Sequence, residues 1–149
     1  MVYMADDFSN IKTTLESAVI MQADISKIRH CVEDAGDLVK SDFTISELVD
    51  AFEQDHPFFL FQVEDDSKRR ISVGPYLDRI FGSIVFTVYS PSGQANTGGA
   101  AITDFVYDKF QATNIDGIRL RDVRKIGSYK IEGWNTKVLQ VSFEKNVSK

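Results

Sequence analysis

The spacing of apolar positions divides the chain into a helical front and an extended back. From Phe8 onward, apolar residues recur at Ile11, Leu15, Ala18, Met21, Ile25, Ile28 and Val32. Steps of three and four place them on one stripe of a helix. The pattern predicts one long helix that runs to Glu33 or Asp34 and stops at Gly36, a residue suited to a left-handed cap; Asp24 offers an alternative start for a separate second helix. A further helix is signposted by its beginning. Thr44 and Glu47 have capping-box spacing, in which each side chain satisfies the other's free backbone donor, and Phe43 and Leu48 stand in staple positions. Ile45, Leu48, Val49 and Phe52 supply its apolar face, and His56 before Pro57 is held extended and ends it.

Beyond Pro57 the period changes. Phe58-Phe59-Leu60-Phe61-Gln62-Val63 is a dense aromatic run, short enough and flanked so as to predict a buried strand. Ser67-Lys68-Arg69-Arg70 reads as a polar connection, and Ile71-Ser72-Val73 as a brief strand before the Gly74-Pro75 turn signal. From Ile80 to Tyr89 the chain can be extended throughout, with Ile84, Phe86 and Val88 on one face and Val85, Thr87 and Tyr89 on the other. Pro91 to Gly99 interrupts this pattern, and Ile102, Phe105, Val106 and Phe110 return to helical spacing. After a turn at Asn114-Ile115-Asp116-Gly117, alternation puts Ile118 and Leu120, with Asp122 in line, on one strand face, and Arg119, Arg121 and Val123 on the other. Ser128 to Ile131 and Thr136 to Phe143 are two more strands, an antiparallel pair joined through Glu132-Gly133-Trp134-Asn135. The sum is an α+β fold: a mostly antiparallel sheet of about four to five strands, packed with a long N-terminal helix and with a helix inserted between strands.

Composition sets the scale of this fold. The 149 residues, 43% hydrophobic and 26% charged with three prolines and nine glycines, suit one globular domain spanning residues 1–149. A net charge of −5 and a pI near 5.0 argue against a general binder of phosphate backbones. Cys31 is the only cysteine, so no intrachain disulfide can form; a reduced cytoplasmic setting and a small buried apolar role follow as expectations. Met1 to Asp7 has acids where a secretory signal carries positive charge, and no run approaches the roughly 18 apolar residues of a membrane span. The chain is therefore expected to stay in the cell that makes it, away from any membrane, and the sequon Asn146-Val147-Ser148 is expected to stay unmodified.

The candidate chemistry is thin. Gly93-Gln94-Ala95-Asn96-Thr97-Gly98 has the glycine spacing of a phosphate loop, but the positions that need a lysine and a hydroxyl are Gly99 and Ala100, which leaves a flexible turn with a glycine-rich helix entry. His30, Cys31, Asp34 and His56 invite a metal, yet neighbours on a helix point about 100° apart and no paired ligand spacing occurs. The same geometry keeps His30 from activating Cys31, so a surface histidine beside a core cysteine is expected. Asp6-Asp7 and Asp65-Asp66 lie in polar stretches where carboxylates are solvated. No cofactor, metal or catalytic residue is expected. Lys68-Arg69-Arg70, and Arg119, Arg121, Arg124 and Lys125, are the strongest basic clusters. They are either solvated edge charge or a contact surface for an acidic partner ring or for passing DNA.

One ordered set of segments carries a resemblance. Gly82-Ser83-Ile84-Val85-Phe86-Thr87-Val88-Tyr89 is followed by Pro91-Ser92-Gly93 and a glycine-rich loop, then by an alanine-containing helix ending in Phe110. Ile115-Asp116-Gly117-Ile118-Arg119-Leu120 comes next, and Gly133-Trp134 precedes an alternating strand ending at Phe143. In order and spacing this resembles the tail terminator (tail completion) proteins of tailed bacteriophages. The resemblance implies a non-enzymatic virion subunit that forms a hexameric ring at the head-proximal end of the tail tube. Such a ring ends tube polymerisation and presents a docking face to neck and head-completion proteins, with genomic DNA only passing through. Ring or tube contacts are expected at Gly93, Gln94 and Asn96 in the loop and at Arg119, Arg121 and Arg124 in the strand. Two other readings compete: a head-tail connector or neck subunit, and a small host ligand-binding or enzymatic domain, which a pocket with convergent polar groups would favour.

Overall fold

Steps of four, rather than the expected mixture of three and four, seat the N-terminal helix. A computed structural model of the chain describes residues 4–34, 37–38, 57–66, 71–91, 99–131 and 134–148. In it α1 (Met4–Ile25) buries Ile11, Leu15, Val19 and Ala23, while Met21 and Ile25 stay 55% and 68% exposed. The helix does not run to Asp34. It stops at Ile25, where Ile28 N–H donates to Ala23 O at 2.9 Å and Lys27 N–H to Asp24 O at 3.1 Å. This is the two-bond Schellman closure, and Lys27 takes the left-handed position at φ 58° that glycine usually fills. Arg29–Asp34 is then a strand, β1, in place of the expected helical end. The spacing of Ile28 and Val32 fits a helix, but here Val32 enters the main core while its neighbour Cys31 enters a second cluster on the other side. The capped segment from Thr44 to Phe52 and the connection at 67–70 lie outside the described residues.

The remaining elements are β2 (Asp37–Leu38), β3 (Phe58–Asp65), β4 (Ile71–Ser72), β5 (Leu77–Pro91), α2 (Ala100–Phe110), β6 (Asn114–Ile115), β7 (Ile118–Ile131) and β8 (Trp134–Ser148). One sheet of eight strands, in the order β2-β1-β3-β5-β8-β7-β6 with β4 also on β5, holds them together among the described residues. The architecture is α+β and mostly antiparallel. β1 with β3 is the parallel exception. The strand count exceeds the expected four to five because the two-residue strands β2 and β6 are added and because β1 replaces helix, while β4 falls where the brief strand at Ile71 was expected. In the other direction, the strands expected at Ile118 to Val123 and at Ser128 to Ile131 are one strand, β7, kept continuous by two register shifts against β8.

Alternation along the strands feeds two apolar clusters. Phe59, Phe61, Val63, Ile84, Phe86, Val88, Leu139, Val141 and Phe143 face α1 and α2, forming the main core with Ile102, Phe105, Val106 and Phe110 of α2. Phe58, Leu60, Tyr89 and Trp134 face the other way with Cys31, which is buried as expected. Phe58 stacks on Tyr89 at 4.8 Å and meets Trp134 edge-on at 5.4 Å, so these rings cover one another. Two glycines are required by geometry. Gly82 lies where a Cβ would come within 2.4 Å of both Glu64 O and Phe143 Cζ. Gly117, at φ 83° after Asp116 at φ 49°, gives the two-residue loop the positive dihedrals of a type I′ hairpin between β6 and β7.

Candidate interaction surface

The outer face of the sheet, opposite the helices, gathers charge at the far end from Trp134. Glu144 of β8 points outward by alternation from Phe143, yet its side chain is only 7% exposed because three arginines close over it. Arg79 Nε lies 3.5 Å from Glu144 Oε2 and also donates to Asn146 Oδ1 at 3.0 Å. Arg119 Nη1 is 3.8 Å from Oε1, and Arg121 Nη2 donates to the same oxygen. β5, β7 and β8 each supply one part, held in register by the pairings Arg79 with Asn146 and Arg119 with Glu144.

The electrostatic balance of this cluster is uneven. Three guanidinium charges meet one carboxylate, a surplus of two positive charges. A carboxylate accepts about four hydrogen bonds, whereas each guanidinium carries about five N–H donors in a rigid fork. The Arg79, Arg119 and Arg121 side chains are 35%, 65% and 57% exposed, so part of each side chain stays open to solvent. Glu144 thus orients the arginines without neutralising them, and the patch suits carboxylate or phosphate groups approaching from outside.

Of the residues expected from sequence, Arg119 and Arg121 come together here. Arg124 joins them on the same face by way of a β-bulge. Strict alternation would turn Arg124 to the opposite side from Arg119, but the shift between Leu120 and Val123 inserts one residue, returning Val123 to the core and setting Arg124 opposite Gln140. Gln140 and Glu144 share the outer face of β8, so Arg124 extends the patch by four strand residues, about 13 Å. The expectation that Val123 would share the arginine face is therefore corrected. Gly93, Gln94 and Asn96 lie outside the described residues. Sequence reasoning missed Arg79 and Glu144. Arg79 does fall in phase with the outward positions Val85, Thr87 and Tyr89, but nothing in the sequence announces that its partner carboxylate is buried.

Of the residues weighed for metal or nucleophilic chemistry, His56 lies outside the described residues, and β1 separates the side chains of His30 and Cys31. His30 and Cys31 sit on opposite faces of the strand; His30 stacks on Phe59 at 5.8 Å, lies 3.5 Å from Asp24 and is half-buried rather than at the surface. At the end of β3, partial burial and then the neighbouring Asp66 raise the Asp65 carboxyl above its usual value of 3.8. On the helix side of the sheet, beyond the N-terminus of α2, a depression of about 400 Å³ is lined by Ser90, Gly99, Ser128, Lys130, Asn135 and Lys137 among others. No described helix is long and apolar enough to cross a membrane.

No protein-family model and no curated protein sequence matches the chain. A solved structure superposes over 99% of this chain and 97% of its own, with a TM-score of 0.57 at 10% identity. That likeness establishes a shared fold over the full length of the described elements and nothing about activity.

Proposed function

We propose that this chain is a structural subunit of a tailed-phage virion, assembling as a ring that caps the head-proximal end of the tail tube, stops its polymerisation and gives the head a docking face. The observation that carries the reading is the arginine patch held out by Glu144: a rigid, positively charged surface whose donors are not spent within the subunit. A subunit that lives in a ring needs such unspent surfaces. The order of elements around them, with α2 between β5 and the β7–β8 hairpin, is the order on which the resemblance to tail terminators rests. Under this reading the subunit acts by contact alone, on the tube protein, on neck or head-completion proteins and on further copies of itself.

The deciding experiment is electron microscopy of tails assembled without the protein. Overlong, polymerised tubes are expected. Tails of normal length that fail to join heads would instead make the chain a connector or neck subunit. The depression beside Ser90, Lys130 and Lys137 favours a second reading, a small ligand-binding domain, and that reading gains if neither tail length nor joining changes.

A further inference from the structure

The arginine patch raises the question of what covers it, and the rest of the same chain supplies an answer. A net charge of −5, together with a local surplus of arginine on one face, means that the acidic excess lies elsewhere on the subunit. Among the described residues part of it lies at the end of β3, in Glu64, Asp65 and Asp66, and part on the helix side, across the sheet from the arginines. α2 turns Ile102, Phe105, Val106 and Phe110 inward, which leaves Asp104, Tyr107 and Asp108 on its exposed face. Asp104 and Asp108 are one turn apart and therefore neighbours, with half-exposed Tyr107 beside them. Lys109 Nζ lies 3.7 Å from Asp108 Oδ2 and offsets part of this charge. These residues, with Ser26 and Ile28 after α1, line a broad, shallow concavity.

We infer that the arginine face of one subunit docks on the α2 face of a second copy, with Arg119 and Arg124 meeting Asp104 and Asp108. This rests on the ring reading and specifies its contact. The two surfaces lie on opposite sides of one sheet, since α2 packs on the core face and the arginines project from the outer face. Contacts between unlike surfaces are head-to-tail and repeat from copy to copy, closing into a ring when the rotation between copies divides a full turn. Arg119, already held 3.8 Å from Glu144, loses less freedom when a carboxylate of the neighbour reaches it, and Arg124 extends the same face. Tyr107 adds an aromatic anchor of the kind that carries energy at interfaces.

Charge exchange on the full chain tests this, read by light scattering and by sedimentation. Arg119→Glu with Arg124→Glu leaves Arg79 and Arg121 on Glu144, so the fold is retained; Asp104→Lys with Asp108→Lys alters only exposed helix positions. Each pair alone is expected to weaken self-association at least tenfold. An equimolar mixture of the two variants, and a chain carrying all four changes, are expected to regain it, because the reversed faces are again complementary. If each pair weakens assembly but neither the mixture nor the fourfold variant recovers, the two faces do not meet and the inference falls while the ring reading stands. If the unaltered chain stays monomeric both alone and at tube ends, both fall together. A second measurement guards against indirect effects: Arg119→Cys with Asp108→Cys, in a Cys31→Ala background, should give a ladder of disulfide-linked oligomers, and only monomer in an assembling preparation would overturn the contact.

Discussion

At the scale of single residues, the sheet is sensitive at positions that carry little side-chain chemistry. Gly82 is one. An added Cβ would meet the backbone oxygen of Glu64 and the ring of Phe143 at 2.4 Å each, and neither has room to yield in a paired strand. Gly82→Ala is expected to cost about 3 kcal/mol, the upper range for forcing an extra methyl group into a packed core. A urea unfolding midpoint lowered with an unchanged slope would bear this out, and an unchanged midpoint would overturn it. Thr136 offers the opposite sign. Its Oγ1 is buried without a hydrogen-bond partner among the described residues. Burial of an unsatisfied hydroxyl costs about 1–3 kcal/mol, so Thr136→Val, which keeps the shape and suits a strand, is expected to stabilise by about 1 kcal/mol. Thermal unfolding that shows a loss instead would mean that the hydroxyl has a partner in solution.

At the scale of elements, the turn after α1 shows where local pattern reading succeeds and where it fails. Lys27 stands at φ 58° in a position made for glycine, and its N–H still completes the helix stop. Lys27→Gly should therefore stabilise by about 0.5–1 kcal/mol, since glycine reaches this conformation without Cβ strain while the bond to Asp24 is kept. Calorimetry showing no gain would place the constraint elsewhere. The same residue explains why the long helix was legible in kind but not in extent: a stop without glycine leaves no mark in the sequence, and Gly36 drew the boundary past β1. The buried strand at Phe58, the alternation from Ile84 to Tyr89, the helix ending in Phe110 and the turn at Asp116-Gly117 were legible because each is specified locally, by period or by turn chemistry. The β7 bulge was not. It depends on pairing with β8, a contact distant in sequence, and it decides that Val123 turns inward and Arg124 outward. The candidate surface was thus half visible: Arg119, Arg121 and Arg124 could be read from the sequence, but Arg79 and the carboxylate that gathers the cluster could not, because the burial of Glu144 exists only once β5, β7 and β8 lie side by side.

At the scale of the whole molecule, two forces act on different parts of the fold and respond differently to salt. Apolar burial between the sheet and the two helices holds the subunit together and is little weakened by added salt. Contacts made by Arg119, Arg124 and their proposed acidic partners would be half-exposed ion pairs, which salt screens. Raising the ionic strength from about 0.1 M to about 1 M shortens the screening length from about 10 Å to about 3 Å. Assembly should then loosen toward the 16.8 kDa subunit, while the circular dichroism and melting temperature of the subunit stay close to their low-salt values. The size of the response is informative. Replacing Arg119 and Arg124 by glutamine removes the screened charges, so the variant should assemble more weakly at low salt and lose little more at high salt, and the two curves should converge. Parallel curves would show that salt acts on some other contact. A mass that does not change with salt would show that apolar surface, such as the 80% exposed Tyr76 ahead of β5, joins the copies instead.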